Sequence, residues 1–382
     1  MTEHVELIDK HVESLSKRIS SIASPVRVAI MPDFFLDHIV TYDGSFKSLQ
    51  ERMEEVANQG GGNIPLTTQC VMRGGNSVNC VSALAALDAN VFFVGRTSDL
   101  GLQLLKYFLN RENVDLSGVK TDGELALTVA LEAKVHGRKS NVMLNYPGSV
   151  KDFGPDSITS EDWEKILKAD MVCCFNWLQN KMGTKLAESV FRKVKAEGAG
   201  KTYFDTCDPS SRKDEIGKVM SGVLKKPFVD IFGMNESEAC WYAGFFDKSL
   251  DKRRKTEDLK KLALEAALLL YNKLKIRIDL HTMDYSASFS QGNRYVAPSF
   301  EVEAKRVTGA GDAWNAGNIF GELVGMPHIE RLLFANASAA YYIQSEDGKH
   351  ATRKDLVTFM QEAKPETMGI TNIVEGEEIK EE

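Results

Sequence analysis

Apolar side chains in the first 24 residues fall at Val5, Ile8, Val12, Leu15, Ile19 and Ile22, in alternating steps of three and four. That spacing lines one face of a helix, which Pro25 ends. The stripe needs a partner. Docking on the body of its own chain is favoured over a dimer seam, because about three heptads is the lower limit for a coiled coil. From Val26 onward the period changes. Short β-branched and aromatic runs at 26–31, 91–94, 171–175, 202–205, 228–232 and 276–280 alternate with helix-period stretches at 77–87, 100–110, 184–196 and 259–274. Strands alternating with helices predict an α/β chain with a doubly wound, mostly parallel sheet flanked by helices.

Two segments break the alternation. One is 42–69, which holds Gly60, Gly61 and Gly62; the other is 125–144, where two strand-like runs flank the turn His136, Gly137, Arg138. Hairpins inserted in an α/β chain serve as flaps over a site, so a small β lid is expected from about 38–70 and 121–146, within a domain spanning 25–364. Residues 365–382 are rich in glutamate and poor in large apolar side chains, which predicts a disordered tail. The basic run 248–255 reads as a solvated loop rather than a binding patch.

Composition narrows the class. The 382 residues are 43% apolar and 26% charged, with 47 Lys and Arg against 54 Asp and Glu, a formal net charge of −7. This describes a mildly acidic globular chain without the basic stripe that duplex nucleic acid demands. Six scattered cysteines show no CxxC pair and no histidine at metal spacing, so they read as reduced thiols. No stretch reaches the ~18 apolar residues of a membrane span, and the first residues are not those of a signal peptide, so a cytoplasmic protein is expected.

Four clusters carry candidate chemistry. The sharpest is Val307-Thr308-Gly309-Ala310-Gly311-Asp312 leading into an apolar helix pattern. Two glycines let backbone N–H groups turn toward one spot, and the dipole of the helix behind them favours an anion there. Asp312 at that spot either caps the helix or accepts the proton of a hydroxyl that attacks a phosphoryl group. Gly74-Gly75 opens a small-residue helix with Asn79 one turn inside, suited to a polar ligand or to close packing alone. Asp33 and Asp37 follow a strand end, where ligands of open α/β sheets bind. Asn235 and Glu238 stand one turn apart after another strand, as an N-cap or as oxygen groups for a hydrated Mg²⁺.

Taken together, in this order and spacing, the four clusters resemble the ribokinase-like (PfkB) carbohydrate kinase family, which includes nucleoside kinases. The resemblance covers about residues 26–362. It implies an ATP- and Mg²⁺-dependent kinase acting on a hydroxyl of a sugar or nucleoside, with Asp312 as general base and Gly309, Ala310 and Gly311 as anion hole. It assigns Asp37, Gly74, Gly75 and Asn79 to the acceptor, Asn235 and Glu238 to Mg²⁺ and the triphosphate, and Thr308, Asn235 and Asn336 to the nucleotide. It also implies the β lid. The sequence departs from the family at Arg306, where an Asp near a monovalent-cation site is usual, which argues against activation by K⁺. The nucleotide loop reads Leu280-His281-Thr282-Met283-Asp284 in place of Thr-x-Gly, Pro32 replaces a Gly, and Asp88 replaces the Gly of Leu-Gly-Ala. A catalytically silent nucleotide or metabolite sensor is the alternative these departures leave. A dinucleotide-dependent oxidoreductase lacks its Gly-x-Gly-x-x-Gly fingerprint. Phe34, Phe35, Phe175 and Trp177 can stack a base but read more readily as core, Arg138 and Asn141 can read the acceptor, and the lid edges and N-terminal helix offer homodimer surfaces.

Overall fold

Fourteen strands alternate with helices in the computed structural model, which describes residues 2–22, 25–65, 67–135, 138–306, 308–363 and 373–379. The strands are β1 Arg27–Met31, β2 Phe35–Ser45, β3 Thr67–Gly74, β4 Asn90–Arg96, β5 Val114–Lys120, β6 Ala126–Val135, β7 Arg138–Tyr146, β8 Met171–Cys174, β9 Lys201–Asp205, β10 Ile231–Asn235, β11 Arg277–His281, β12 Tyr285–Ser290, β13 Asn293–Pro298 and β14 Val374–Glu378. Ten form one sheet in the order β14-β13-β12-β11-β10-β9-β8-β1-β4-β5. From β11 to β5 every neighbouring pair is parallel, and β12, β13 and β14 extend the sheet antiparallel.

The buried strands are apolar on both sides, as a covered parallel sheet requires. Val28, Ile30 and Cys173 face one core with the helices Asn76–Ala86, Ala310–Leu323 and His328–Ile343; Ala29, Val172 and Phe204 face the other with Gly183–Glu197 and Leu259–Leu274. Ile8, Val12, Leu15 and Ile19 of the helix Thr2–Ser20 belong to the first core. Ser14 and Arg18 fix the same helix by donating to Glu330 at 2.7 and 2.8 Å. It docks on its own chain, as the pattern predicts.

The lid is a separate four-stranded sheet, β3-β2-β6-β7, in which β2 pairs antiparallel with β3 and parallel with β6. Its first segment is half helical: Phe46–Asn58 follows a capping box in which the Ser45 and Ser48 side chains bond each other's backbone N–H. His136 and Gly137 of the expected turn lie outside the described residues, as does Val307. Composition misleads at the tail. Val374–Glu378 pairs with β13, where Arg294 bonds Glu377, so ladder hydrogen bonds and a charge partner order an acidic segment that has little apolar area of its own. Residues 364–372 and 380–382 lie outside the described residues.

The basic run bends back on its own protein: Arg253 bonds Glu257 and Glu265, and Arg254 lies 3.4 Å over the Trp241 ring. Asp88 adopts φ +67°, the left-handed region that favours glycine, and it bonds Arg353 at 2.8 Å. Among the described residues no helix is long and apolar enough to cross a membrane.

Candidate active site

Strands β1, β8, β9 and β10 all end on one edge, and the polar residues just past those ends converge there. Asp33, after β1, is fully buried and accepts four hydrogen bonds: from the N–H groups of Asn76 and Ser77 at 2.8 and 3.0 Å, from the Ser77 hydroxyl, and from Asn176 at 2.8 Å. It fixes the first turn of the helix Asn76–Ala86 against the strand ends. The glycine pair before that helix is required by crowding. A Cβ on Gly74 would stand 2.2 Å from the Asp37 carboxylate, and one on Gly75, at φ +90°, would stand 2.8 Å from Asp33.

The helix so anchored presents two amides to Asp312. Asn76 Nδ2 donates to one carboxylate oxygen at 2.8 Å, and Asn79 Nδ2 donates to the other at 2.9 Å. Asp312 is 5% exposed, in the first turn of Ala310–Leu323. Burial pushes its pKa up, aided by the negative charges of Asp205 and Asp33 and opposed by the two amides, to about 8. Among the described residues no cation is bonded to it, and the Arg73 charge reaches it only from a distance. Asp205 is itself held in place by Asn315 at 2.7 Å and by the Cys207 N–H at 3.0 Å.

The helix of Asp312 starts at Gly309, φ +88°, with no side chain capping its free N–H groups. A Cβ at Gly309 would meet the Tyr342 hydroxyl at 2.7 Å, and one at Gly311 would meet the His281 ring at 3.0 Å. The amides of Gly309, Ala310 and Gly311 therefore sit at a helix N-terminus packed too tightly for other side chains. The lid closes over them: Asn141 donates to the Thr308 hydroxyl at 3.3 Å. Beneath it lies a cleft of about 200 Å³ lined by Asp37, Gly75, Asn76, Asn79, Thr308, Gly309 and Asp312, with Phe35, Thr128, Met143 and Asn145 from the lid. Burial raises Asp37 to about 6, against the pull of Thr128 and the charge of Arg306. Of the four aromatics singled out in sequence, Phe35 lines the cleft; Phe34, Phe175 and Trp177 are buried core.

Asn235 and Glu238 form a closed capping box. Asn235 Oδ1 accepts from the N–H groups of Ser237 and Glu238, while the Glu238 carboxylate accepts from the Asn235 N–H at 2.9 Å and from its side-chain amide at 2.8 Å. Burial and the neighbouring Asp205 raise Glu238 well above the usual carboxylate range. The combined negative charge of Asp205 and Glu238 suits a divalent cation, and with both Glu238 oxygens engaged and no cluster of three metal-ligating side chains among the described residues, the ion would be held through waters. Asn336 departs from expectation. It is 2% exposed, its oxygen accepts from the Trp314 indole at 2.8 Å and its amide donates to the Pro298 carbonyl at 2.8 Å, so it is a core residue with no group left for a base. Its effect is to fix Trp314, which lies 5.0 Å from the His281 ring of the altered loop. Burial lowers His281 to about 4 and keeps it neutral.

Asn76 and Asp205 were not singled out as site residues, although Asn76 and Asn79 stand at the i, i+3 spacing that puts both on one helix face. The model of the pfkB family of carbohydrate kinases matches residues 51–354. The chain belongs to that family. A 5-dehydro-2-deoxygluconokinase of Clostridium perfringens is 27% identical over 302 residues, covering 75% of this chain and 81% of that protein. Its counterpart in Clostridium beijerinckii is 28% identical over 333 residues, covering 80% and 89%. Among solved structures, Arabidopsis thaliana ribokinase complexed with ribose and ATP superposes with a TM-score of 0.62 at 18% identity, over 89% of this chain and 99% of that one. A fructokinase with bound ATP from Xylella fastidiosa gives 0.65 at 15% identity, over 88% and 98%. This pfkB carbohydrate kinase thus has the ribokinase-like fold, sheet and lid together.

Proposed function

We propose that the protein transfers the γ-phosphoryl group of ATP to a hydroxymethyl group of a sugar or sugar acid, with Asp312 as the general base. The observation that carries this reading is the wiring of Asp312: a buried carboxylate, with no cation bonded to it among the described residues, held by Asn76 and Asn79 at the mouth of a helix N-terminus. A pKa near 8 makes Asp312 a stronger base than an ordinary carboxylate, with its ionised form growing as the pH rises from 7 toward 8. The Gly309, Ala310 and Gly311 amides stand where they would stabilise charge on the transferring group, and Thr308 would help seat the phosphates. Asp37, Gly74, Gly75 and Asn79 would hold the acceptor; Asn235 and Glu238 would hold hydrated Mg²⁺ and the triphosphate. Mg²⁺, when bound, supplies positive charge to the phosphates. The lid contact at Thr308 would exclude water and suppress hydrolysis of ATP.

The names of the relatives favour a keto-deoxy sugar acid as acceptor over a nucleoside, and a cleft with one apolar ring in its lining, Phe35, agrees. The test is ADP release from Mg·ATP across sugars, sugar acids and nucleosides, with Asp312→Asn beside the wild type. Turnover with one acceptor that the variant loses is expected; ATP binding without transfer to any of them would favour a silent sensor.

A further inference from the structure

Beside the cleft, where β3 meets the loop 345–350, two half-buried arginines have no acid bonded to them among the described residues. Arg73, next to last in β3, donates Nη2 to the Gly348 carbonyl at 2.7 Å, and its Nε has no partner. Arg306 lies 4.9 Å over the Tyr342 ring with Nη2 3.2 Å from the Met72 sulfur, and its Nε and Nη1 have no partner. His350, 5% exposed, stacks on the same tyrosine with ring centroids 4.4 Å apart, and its Nε2 is unpartnered too. Four buried nitrogens thus cluster around Tyr342 without an acceptor, a costly arrangement that an anion would relieve.

The cluster borders the acceptor site. Met72 is the strand partner of Asp37 in the lid, so the sulfur that Arg306 touches shares a sheet face with that carboxylate. The Arg306 charge reaches Asp37, and the Arg73 charge reaches Asp312 and Tyr342. Asp347, on the loop, accepts from Ser345, and its charge reaches Arg73 without a bond to it. A planar carboxylate matches the guanidinium fork, and a single negative charge is tolerable beside Asp37 and Asp312 where a doubly charged group would be repelled.

We infer that Arg73 and Arg306 form a carboxylate-reading subsite at the end of the acceptor cleft, so that the acceptor is a sugar acid with hydroxyls on Asp37 and its carboxylate on the two guanidiniums. This rests on the kinase reading for the word acceptor, but binding alone can decide it. The full chain is titrated calorimetrically with 5-dehydro-2-deoxygluconate and with fructose, as wild type, Arg306→Met and Arg73→Met/Arg306→Met. The expected result is wild-type preference for the acid and a drop of about 10-fold to 100-fold in the ratio of the two affinities on removing Arg306, larger in the double variant. Raising salt on the wild type, which needs no variant to fold, weakens the acid and leaves the fructose titration level. Equal losses for both compounds, a ratio that moves less than about threefold, or no wild-type preference for the acid overturns the subsite. A subsite that passes while no phosphoryl group moves leaves this inference standing and removes the kinase reading; transfer to fructose without preference for the acid does the reverse.

Discussion

Two buried aspartates, Asp279 on β11 and Asp312 at the cleft, are alike in exposure and opposite in chemistry. Asp279 accepts from Arg277 at 2.6 Å, from Arg331 at 3.2 Å, from the Ser288 hydroxyl at 2.6 Å and from Asn318 at 2.8 Å. Burial works against its charge, but the two guanidiniums overcome it and hold the carboxyl below the usual range. Asp312 has two neutral amides and two acidic neighbours, Asp205 and Asp33, and its pKa rises to about 8. Burial alone does not make a reactive carboxylate. The charge of the groups that face it does, and here one aspartate is neutralised for the fold while the other keeps the raised pKa on which its proposed role as base rests.

The largest expected effect falls on turnover. Asp312→Asn keeps the fold and loses about 10²- to 10⁴-fold in kcat, read by ADP release; wild-type turnover would remove the contrast between the two aspartates. Next comes stability. Asp279→Asn leaves Arg277 and Arg331 facing a neutral amide and costs about 3–5 kcal/mol in urea unfolding, and a neutral outcome would mean the network is not what holds β11. Smaller still, Asn79→Ala removes one donor to Asp312 and raises its pKa further, so kcat/KM falls about tenfold at pH 7 and recovers toward pH 9.

The smallest effect is in the pH dependence of unfolding, at most about 1.4 kcal/mol per pH unit for one proton. Asp312 is raised from 3.8 to about 8, so its contribution to stability is full below about pH 4 and is lost as the pH rises toward 8. Asp279 is depressed from 3.8, so its contribution is present above about pH 4 and is lost as the pH falls. Asp312→Asn should therefore flatten the curve between about pH 4 and 8, and Asp279→Asn should flatten it below about pH 4. The same slope change in both variants would erase the distinction.

The alternating periods were enough to read the sheet and its helices, because covered parallel strands and their crossovers repeat one hydrophobic rhythm. Lone motifs were legible where backbone geometry restricts residue choice, as at Gly74, Gly75, Gly309 and Gly311. What escaped depends on long-range contact. Asp33 reads as a loop carboxylate until Asn176, 143 positions away, is seen to bond it. Asn336 resembles a ligand group until Trp314 closes on it. β14 is invisible in composition because its order comes from the ladder it joins, not from its own side chains.

The lid sheet and the helix Asn76–Ala86 are one piece of chain. β3 ends at Gly74, Gly75 turns at φ +90°, and Asn76 opens the helix whose first turn grips Asp312. A single glycine pair thus joins the lid to the two amides on that carboxylate. If Asp312 is the base we propose, any shift of β3 over an acceptor would be transmitted to the group that takes its proton.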